Sequence, residues 1–385
     1  MHIGYIYNLK VSPPRGGNHV HALELIQGFL RAGHQVSVID DPTVPDAQNF
    51  NSSESGAVQA FVDNIDILYV RIDARFISQW PAGQLCMSLI NPKPVVWEIN
   101  APSNEALAYS WLGGRYDGSG EPFFRRMKRW IHATRKKIGI AREERFRRAL
   151  AKNVDVAICV SSALAEYASQ ALRLDSVVTL PNGGPLISEK EILSKRATRD
   201  CSAFTVFYSG SAIYPWQGMN FMSAVIELAR VKAPDIRFVL AVNQKTPNLP
   251  DGSNVDIREG LDRDGIIEAV CCADACVALH PDYPWSPYGF HNSPMKLFEY
   301  MACMTPVVTS NRAQMAELIE HKKNGLLCSD DAEDTLRQIL FLKDNPDIAD
   351  EIARNGWLII QNGMSWNDNV NRTLQEFKNL TYCSD

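Results

Sequence analysis

No stretch of 18 consecutive apolar residues occurs anywhere in the 385-residue sequence, so no segment reads as a bilayer-spanning helix. A positive balance of charge is missing too: 39 Lys and Arg stand against 44 Asp and Glu, a formal net charge of −5. Nucleic-acid binders usually carry a basic excess, so that class of partner is disfavoured from the start. The opening run Met1-His2-Ile3-Gly4-Tyr5-Ile6-Tyr7 lacks the basic start and cleavage site of a secretory signal and reads directly as a strand. Nine cysteines, an odd number thinly spread, suit free thiols and a cytoplasmic location better than a disulfide framework. G-x-G-x-x-G, the Walker phosphate loop and the G-x-S-x-G elbow are all absent, which removes the signatures of dinucleotide enzymes, NTPases and serine hydrolases. Cys271, Cys272, Cys276 and His280 cluster in sequence but lack paired ligand spacing, so no metal is expected.

What is present is the composition of a soluble globular protein, 45% apolar and 22% charged, at a length that suits two domains. Near-continuous apolar runs at Ile3–Tyr7, Gln35–Asp40, Asp66–Arg71, Pro94–Ile99, Val154–Val160 and Val177–Leu180 read as parallel strands covered on both faces. The rhythm restarts after Lys190, with runs at Thr205–Tyr208, Arg237–Val242, Val255–Arg258, Cys276–His280, Pro306–Thr309 and Gly325–Cys328. Helices are expected between them, the first capped by Asn18 and stopped by Gly33. The result is an α/β chain of two Rossmann-like doubly wound domains, residues 1–185 and 186–364, facing a central cleft near the carboxyl ends of their strands. The turn Pro181-Asn182-Gly183-Gly184-Pro185 marks the hinge, and a last amphipathic segment, 365–385, could pack back on the first domain.

Two stretches carry the chemistry. After the first strand, Ser12-Pro13-Pro14-Arg15-Gly16-Gly17-Asn18 leads into a helix, where two glycines let a ligand approach backbone amides and the helix dipole favours an anion. A flexible capped loop is the plain alternative. In the second half, Ser293 and Pro294 suit the start of a helix that puts Lys296 in its first turn. A cation is disfavoured there unless an anion is also present. Glu299 lies on the same side and could accept hydrogen bonds from two ribose hydroxyls, although Lys296 and Glu299 could equally form an ordinary exposed pair.

Together these residues resemble the retaining, family 4-type glycosyltransferases of GT-B fold. The resemblance runs through Gly33-His34-Gln35-Val36, Val160-Ser161-Ser162, Pro181-Asn182-Gly183 and Tyr208-Ser209-Gly210-Ser211 with Pro215-Trp216-Gln217-Gly218. It continues through Lys296-Leu297-Phe298-Glu299-Tyr300-Met301-Ala302, Thr305-Pro306-Val307-Val308 and Met364-Ser365-Trp366. It implies a nucleotide-sugar donor held mainly by the C-terminal domain, an acceptor held mainly by the N-terminal one, and neither metal nor cofactor. Donor contacts are then expected at Gly16, Gly17, Asn18, Ser211, Gln217, Gly260, Leu261, Asn292, Ser293, Lys296 and Glu299. Two departures stand out. Of the family's two glutamates seven residues apart, Glu299 matches the second, while the first falls on His291. The positions that usually carry an arginine and a lysine for the diphosphate are the neutral Ser211 and Gln217, so Lys296 is expected to take over that charge. Where members often place a histidine after a strand, Glu98 and Asn100 stand instead; Glu98 could steer the acceptor or assist proton removal, or simply cap a loop. His291, with Lys296, completes the expected catalytic set.

The average charge conceals an asymmetry. Twelve of the 39 cations fall between Arg125 and Lys152 against only Glu143 and Glu144. Apolar residues such as Phe123, Trp130, Ile131, Ile138 and Phe146 are interleaved with them. Helical basic segments of this kind can lie on an anionic membrane surface, with Arg125, Arg126, Lys128, Arg129, Trp130, Arg135, Lys136 and Lys137 as contacts. A solvated face is the alternative, and Gly139 argues against one continuous helix. The expectation is a cytoplasmic enzyme, peripheral on the inner face of the plasma membrane if that segment docks. It would pass a sugar to a glycan or polyprenyl-linked acceptor in envelope polysaccharide synthesis. A nucleotide-sugar epimerase and a non-catalytic nucleotide-sugar-binding subunit remain open.

Overall fold

The computed structural model describes residues 1–14, 16–74, 81–107, 123–199, 202–212, 217–246, 249–283 and 286–382. Each half of the chain builds one wholly parallel sheet. The first has β1 (His2–Ile6), β2 (Gln35–Ile39), β3 (Gln48–Phe50), β4 (Ile67–Ile72), β5 (Val95–Ile99), β6 (Val156–Cys159) and β7 (Val177–Thr179) in the order β3-β2-β1-β4-β5-β6-β7. The second has β8 (Phe204–Gly210), β9 (Ile236–Val242), β10 (Val255–Glu259), β11 (Ala275–Ala278), β12 (Val307–Ser310) and β13 (Leu326–Cys328) in the order β10-β9-β8-β11-β12-β13. The central strands are buried along their length because helices cover both faces, which is why their sequences are apolar without alternation. In each sheet the order reverses beside its first strand, leaving a crevice at the carboxyl ends of β1 and β4 in one and of β8 and β11 in the other.

By contacts the chain divides into two compact units, one of residues 1–181, 284–293 and 367–385, the other of 182–283 and 294–366. In the first unit the helices Gly17–Arg31 and Trp366–Tyr382 pack together on one sheet face. Gly28 makes this possible, since a Cβ there would lie 2.3 Å from a Val370 methyl. Phe377 fills the join, its ring 5.7 Å from Phe29 and 5.3 Å from Tyr69. The other face is covered by Ala57–Asn64, Pro81–Leu89 and Ser162–Gln170 over Val70, Trp97 and Cys159.

Two local expectations change. The first helix starts at Gly17 with Gly16 at its cap, so Asn18 lies inside the first turn; no side chain caps this end. Phe123–Leu150 is one continuous helix despite Gly139, whose surroundings are open. A glycine in a helix costs only about 1 kcal/mol, and the inner face of this helix offsets it. Buried Arg147 pairs with Glu143 at 3.1 Å and donates to the carbonyls of Ala101 (3.0 Å) and Asp73, while Glu144 accepts from Tyr167 Oη at 2.8 Å. Arg147 is therefore an anchor, not part of the surface charge.

A second buried polar cluster inside the first unit centres on Glu98. Parallel pairing of β4 and β5 sets Arg71 beside Glu98, on the face that carries Tyr5 and Tyr69. With 1% exposure, the Glu98 carboxylate accepts from Tyr5 Oη (2.8 Å) and Arg71 (3.3 Å) and from Asn100, and it lies 2.5 Å from His21 Nε2. Burial alone would raise its pKa; His21, Arg71 and the hydrogen bonds outweigh that and hold it far below the usual carboxylate range. A carboxylate so committed is a structural anion, which corrects the expectation of Glu98 as a proton acceptor for an incoming hydroxyl. Glu98→Gln should leave buried Arg71 with the partly exposed Asp73, 3.5 Å away, as its remaining counter-charge, and cost about 3–5 kcal/mol of stability. Urea unfolding measures this; a variant as stable as the wild type would contradict the assignment.

Candidate functional site

In the second unit the strand order reverses between β9, β8 and β11, and β8 ends in Tyr208-Ser209-Gly210. Into this place comes the helix Met295–Ala302, whose apolar side chains Leu297, Phe298 and Met301 are buried. Pro294, in an extended conformation, is the residue before the first turn, so the helix starts one residue later than the sequence suggests and Ser293 does not cap it. Lys296 stands in the first turn. Only 8% exposed, it passes over the Tyr208 ring at 4.4 Å from the centroid and donates to Gln217 Oε1 at 2.7 Å. Among the described residues this amide oxygen is its hydrogen-bond partner. Lys296 and Glu299 are thus no simple exposed pair: the lysine is inside and the glutamate half-buried.

Gly210 is what lets these groups meet. A Cβ at that position would fall 2.6 Å from Tyr208 Oη, 2.8 Å from Gln217 Oε1 and 2.9 Å from Lys296 Nζ. Gly218, at φ +73°, has a second reason to be glycine, because a Cβ there would lie 2.1 Å from the Leu279 carbonyl oxygen. Tyr208 Oη in turn donates to the Gln217 carbonyl at 2.8 Å, fixing the residue whose amide faces the lysine. Burial lowers the Lys296 pKa to about 7, with nearby Glu299 opposing the shift. The ammonium is therefore poised to lose its proton near neutrality, and an arriving anion would restore it.

The remaining expected donor residues are spread. Ser211 is buried just after β8, and Pro215 and Trp216 lie outside the described residues. Gly260, with φ +67° and open space around it, and Leu261 follow β10 and lead to Asp262, which caps the next helix through Gly265 N at 2.8 Å. His291, Asn292 and Ser293 count by contacts with the first unit. The His291 ring is fully buried, its Nδ1 3.2 Å from the Gly289 carbonyl oxygen and its Nε2 3.6 Å from Glu105, while Ser161 Oγ donates to the His291 carbonyl at 2.6 Å. This corrects the picture of His291 as a group open to a sugar: with no exposed surface, it fastens its own segment.

In the first unit, half-buried Gly16 and exposed Gly17 and Asn18 form a helix start with no acidic residue in its first turn. Asn100 is half-buried after β5; its amide nitrogen is turned to Glu98, which orients the side chain. Arg125, Arg126, Lys128, Arg129 and Trp130 belong to the helix Phe123–Leu150, but their side chains lie outside the described residues. Of the rest of that segment, Arg135 and Lys137 are exposed and Lys136 is half-buried. No group able to hold a metal ion occurs among the described residues, and no described helix is long and apolar enough to cross a membrane.

Sequence reasoning gave no role of its own to Tyr208, although it stands in the motif Tyr208-Ser209-Gly210-Ser211, and none to Arg71. Tyr208 lies two residues before the Gly210-Ser211 junction, where strand alternation already places it on the same face as Gly210.

Residues 203–345 match the family described as glycosyl transferases group 1. Comparison with curated protein sequences returns no match. Among solved structures, sucrose-phosphate synthase from Thermosynechococcus elongatus superposes with a TM-score of 0.69 at 15% identity over 99% of both chains. HepE from Anabaena, solved with UDP-glucose, gives 0.65 at 17% identity over 98% of this chain and 100% of that one. A glycosyltransferase from Rickettsia africae gives 0.66 at 15% identity over 99% and 98%. Residues 203–345 are thus similar to the group 1 glycosyl transferases, and the chain as a whole has the two-sheet GT-B fold.

Proposed function

We propose that this protein transfers a sugar from a nucleoside diphosphate sugar to a hydroxyl of a glycan or lipid-linked acceptor, with retention at the anomeric carbon and without a bound metal. Lys296 carries this reading. A lysine buried against a glycine-terminated strand, hydrogen-bonded to a neutral amide and titrating near 7, is a site made for an anion that comes and goes. The diphosphate of a leaving nucleotide supplies that anion, and a charge-assisted bond to it stabilises the departing group. Glu299, on the same side of the helix, suits the ribose hydroxyls. The group 1 match over 203–345 and the UDP-glucose bound to HepE support the donor class.

A binding-only subunit is the second reading, favoured by one observation: Ser211 and Gln217 bring no charge where a second and third cation would strengthen the hold on diphosphate. Release of diphosphate that depends on an added acceptor separates the two.

We also infer a working place at an anionic membrane surface, in the assembly of a cell-envelope polysaccharide. Ile131, Arg135, Ile138, Arg142 and Arg145 recur at alternating steps of four and three along the basic helix, and all five are exposed. Ile138 shows 49% of its surface to solvent. Apolar and cationic side chains on one stripe suit a headgroup layer, at about 1 kcal/mol for each cation that reaches it.

Two outcomes are expected. Affinity for nucleoside diphosphates should fall about tenfold between pH 7 and 8.5, because Lys296 must be charged to bind and is losing its proton over that range. Lys296→Arg should flatten the profile, and Lys296→Ala should weaken diphosphate far more than nucleoside binding. Titration calorimetry reads all three; an unchanged slope in the arginine variant, or equal losses for both ligands, would contradict the assignment. In sedimentation with phosphatidylcholine vesicles, the protein should bind only when phosphatidylglycerol is added. The triple change Arg135→Glu, Arg142→Glu, Arg145→Glu should release it. Indifference to the anionic lipid counts against membrane docking.

A further inference from the structure

At the far edge of the first sheet, the carboxyl ends of β2 and β3 and the start of the helix Ala57–Asn64 enclose an open cavity of about 890 Å³. Lys10, Asp40, Asn49, Phe50, Glu54 and Ala60 are among the residues lining it. Its volume is that of a ligand pocket, and its polar groups are unevenly spent. Both Asp40 oxygens are taken, by Ser52 N at 2.7 Å and Ser52 Oγ at 2.5 Å, so Asp40 is wall. Asn49 Oδ1 accepts from Asp41 N at 2.8 Å, which leaves the Asn49 amide hydrogens unused. Glu54 Oε1 takes Asn51 Nδ2 at 3.2 Å, and its other oxygen has no partner among the described residues. Lys10 is exposed and makes no hydrogen bond or ion pair among them. Phe50, half-buried, is held edge-on by Phe61 with ring centroids 5.6 Å apart.

The unspent set is therefore an ammonium, an amide NH₂ and a carboxylate oxygen beside an aromatic ring. A phosphate is poorly served, since two carboxylates face one lysine. A sugar hydroxyl both donates and accepts, and matches such a mixed set. The walls are also preformed. Asp41 accepts from Tyr7 Oη at 2.9 Å and Val11 N at 3.0 Å, which ties the strand end and the loop bearing Lys10 to the end of β2. A rigid site spends less of its binding energy on ordering.

We propose that this cavity binds the neutral, hydroxyl-rich rings of a glycan.

Saturation-transfer NMR tests it with neutral di- and trisaccharides of glucose, galactose, mannose and rhamnose, on the wild type, Ala60→Trp and Glu54→Gln. Ala60 is exposed on its helix, so the tryptophan fills the cavity rather than the core. Glu54→Gln removes one surface charge and leaves the fold alone. Sugar signals are expected in the wild type, at least about tenfold weaker in Ala60→Trp and reduced in Glu54→Gln, with UDP binding equal in all three. No saturation with any sugar, full saturation in Ala60→Trp, or displacement by inorganic phosphate would overturn it. Loss of UDP binding in the wild type would instead sink the transferase reading and leave the sugar result standing.

Discussion

A cation taken out of water needs a reason, and Lys296 is the point on which the second unit turns. Its ammonium is buried, yet the hydrogen bond it makes is to an amide oxygen of Gln217, with the Tyr208 ring below it. Such an arrangement is poor as a stability device, because burial favours the neutral amine and the proton is lost as pH rises through about 7. On the proposed reading it is a receptor for an anion. Everything around it serves that end: Gly210 yields the space of a side chain, Tyr208 fixes Gln217, and buried Leu297 and Phe298 hold the helix that carries the lysine.

The first unit solves the opposite problem. Glu98 is as deeply buried, but Tyr5, His21, Arg71 and Asn100 saturate it, and the result is a fixed charge with nothing left to offer. Of two buried ionisable groups at strand or helix ends, one is closed and the other open. That contrast, rather than burial itself, separates the structural residue from the one proposed for function.

Much of this could be read from sequence. The strands of both sheets were legible because burial on two faces leaves uninterrupted apolar runs, and Lys296 stood out as a cation at the wrong end of a helix. The edge strand β3 was not, since Gln48-Asn49-Phe50 has no apolar run and half faces solvent. Gly139 misled: a local propensity of about 1 kcal/mol was outweighed by buried Arg147, which pairs with Glu143 and whose partners Ala101 and Asp73 lie just past the ends of β5 and β4. Pairings across long sequence separations were out of reach in the same way. Lys296 meets Gln217 across 79 positions and Glu98 meets Tyr5 across 93, and no local pattern encodes either.

On the proposed reading the neutral Ser211 and Gln217 leave the diphosphate to Lys296 alone, so that side chain's titration is the most direct test. Labelling the lysine side chains with ¹³C and ¹⁵N and following Lys296 by NMR, with Lys296→Arg to assign the signal, measures its pKa with and without nucleoside diphosphate. The account predicts a midpoint near 7 in the free protein that rises by more than one unit when the ligand binds. A midpoint near the ordinary lysine value, unmoved by the ligand, would contradict it.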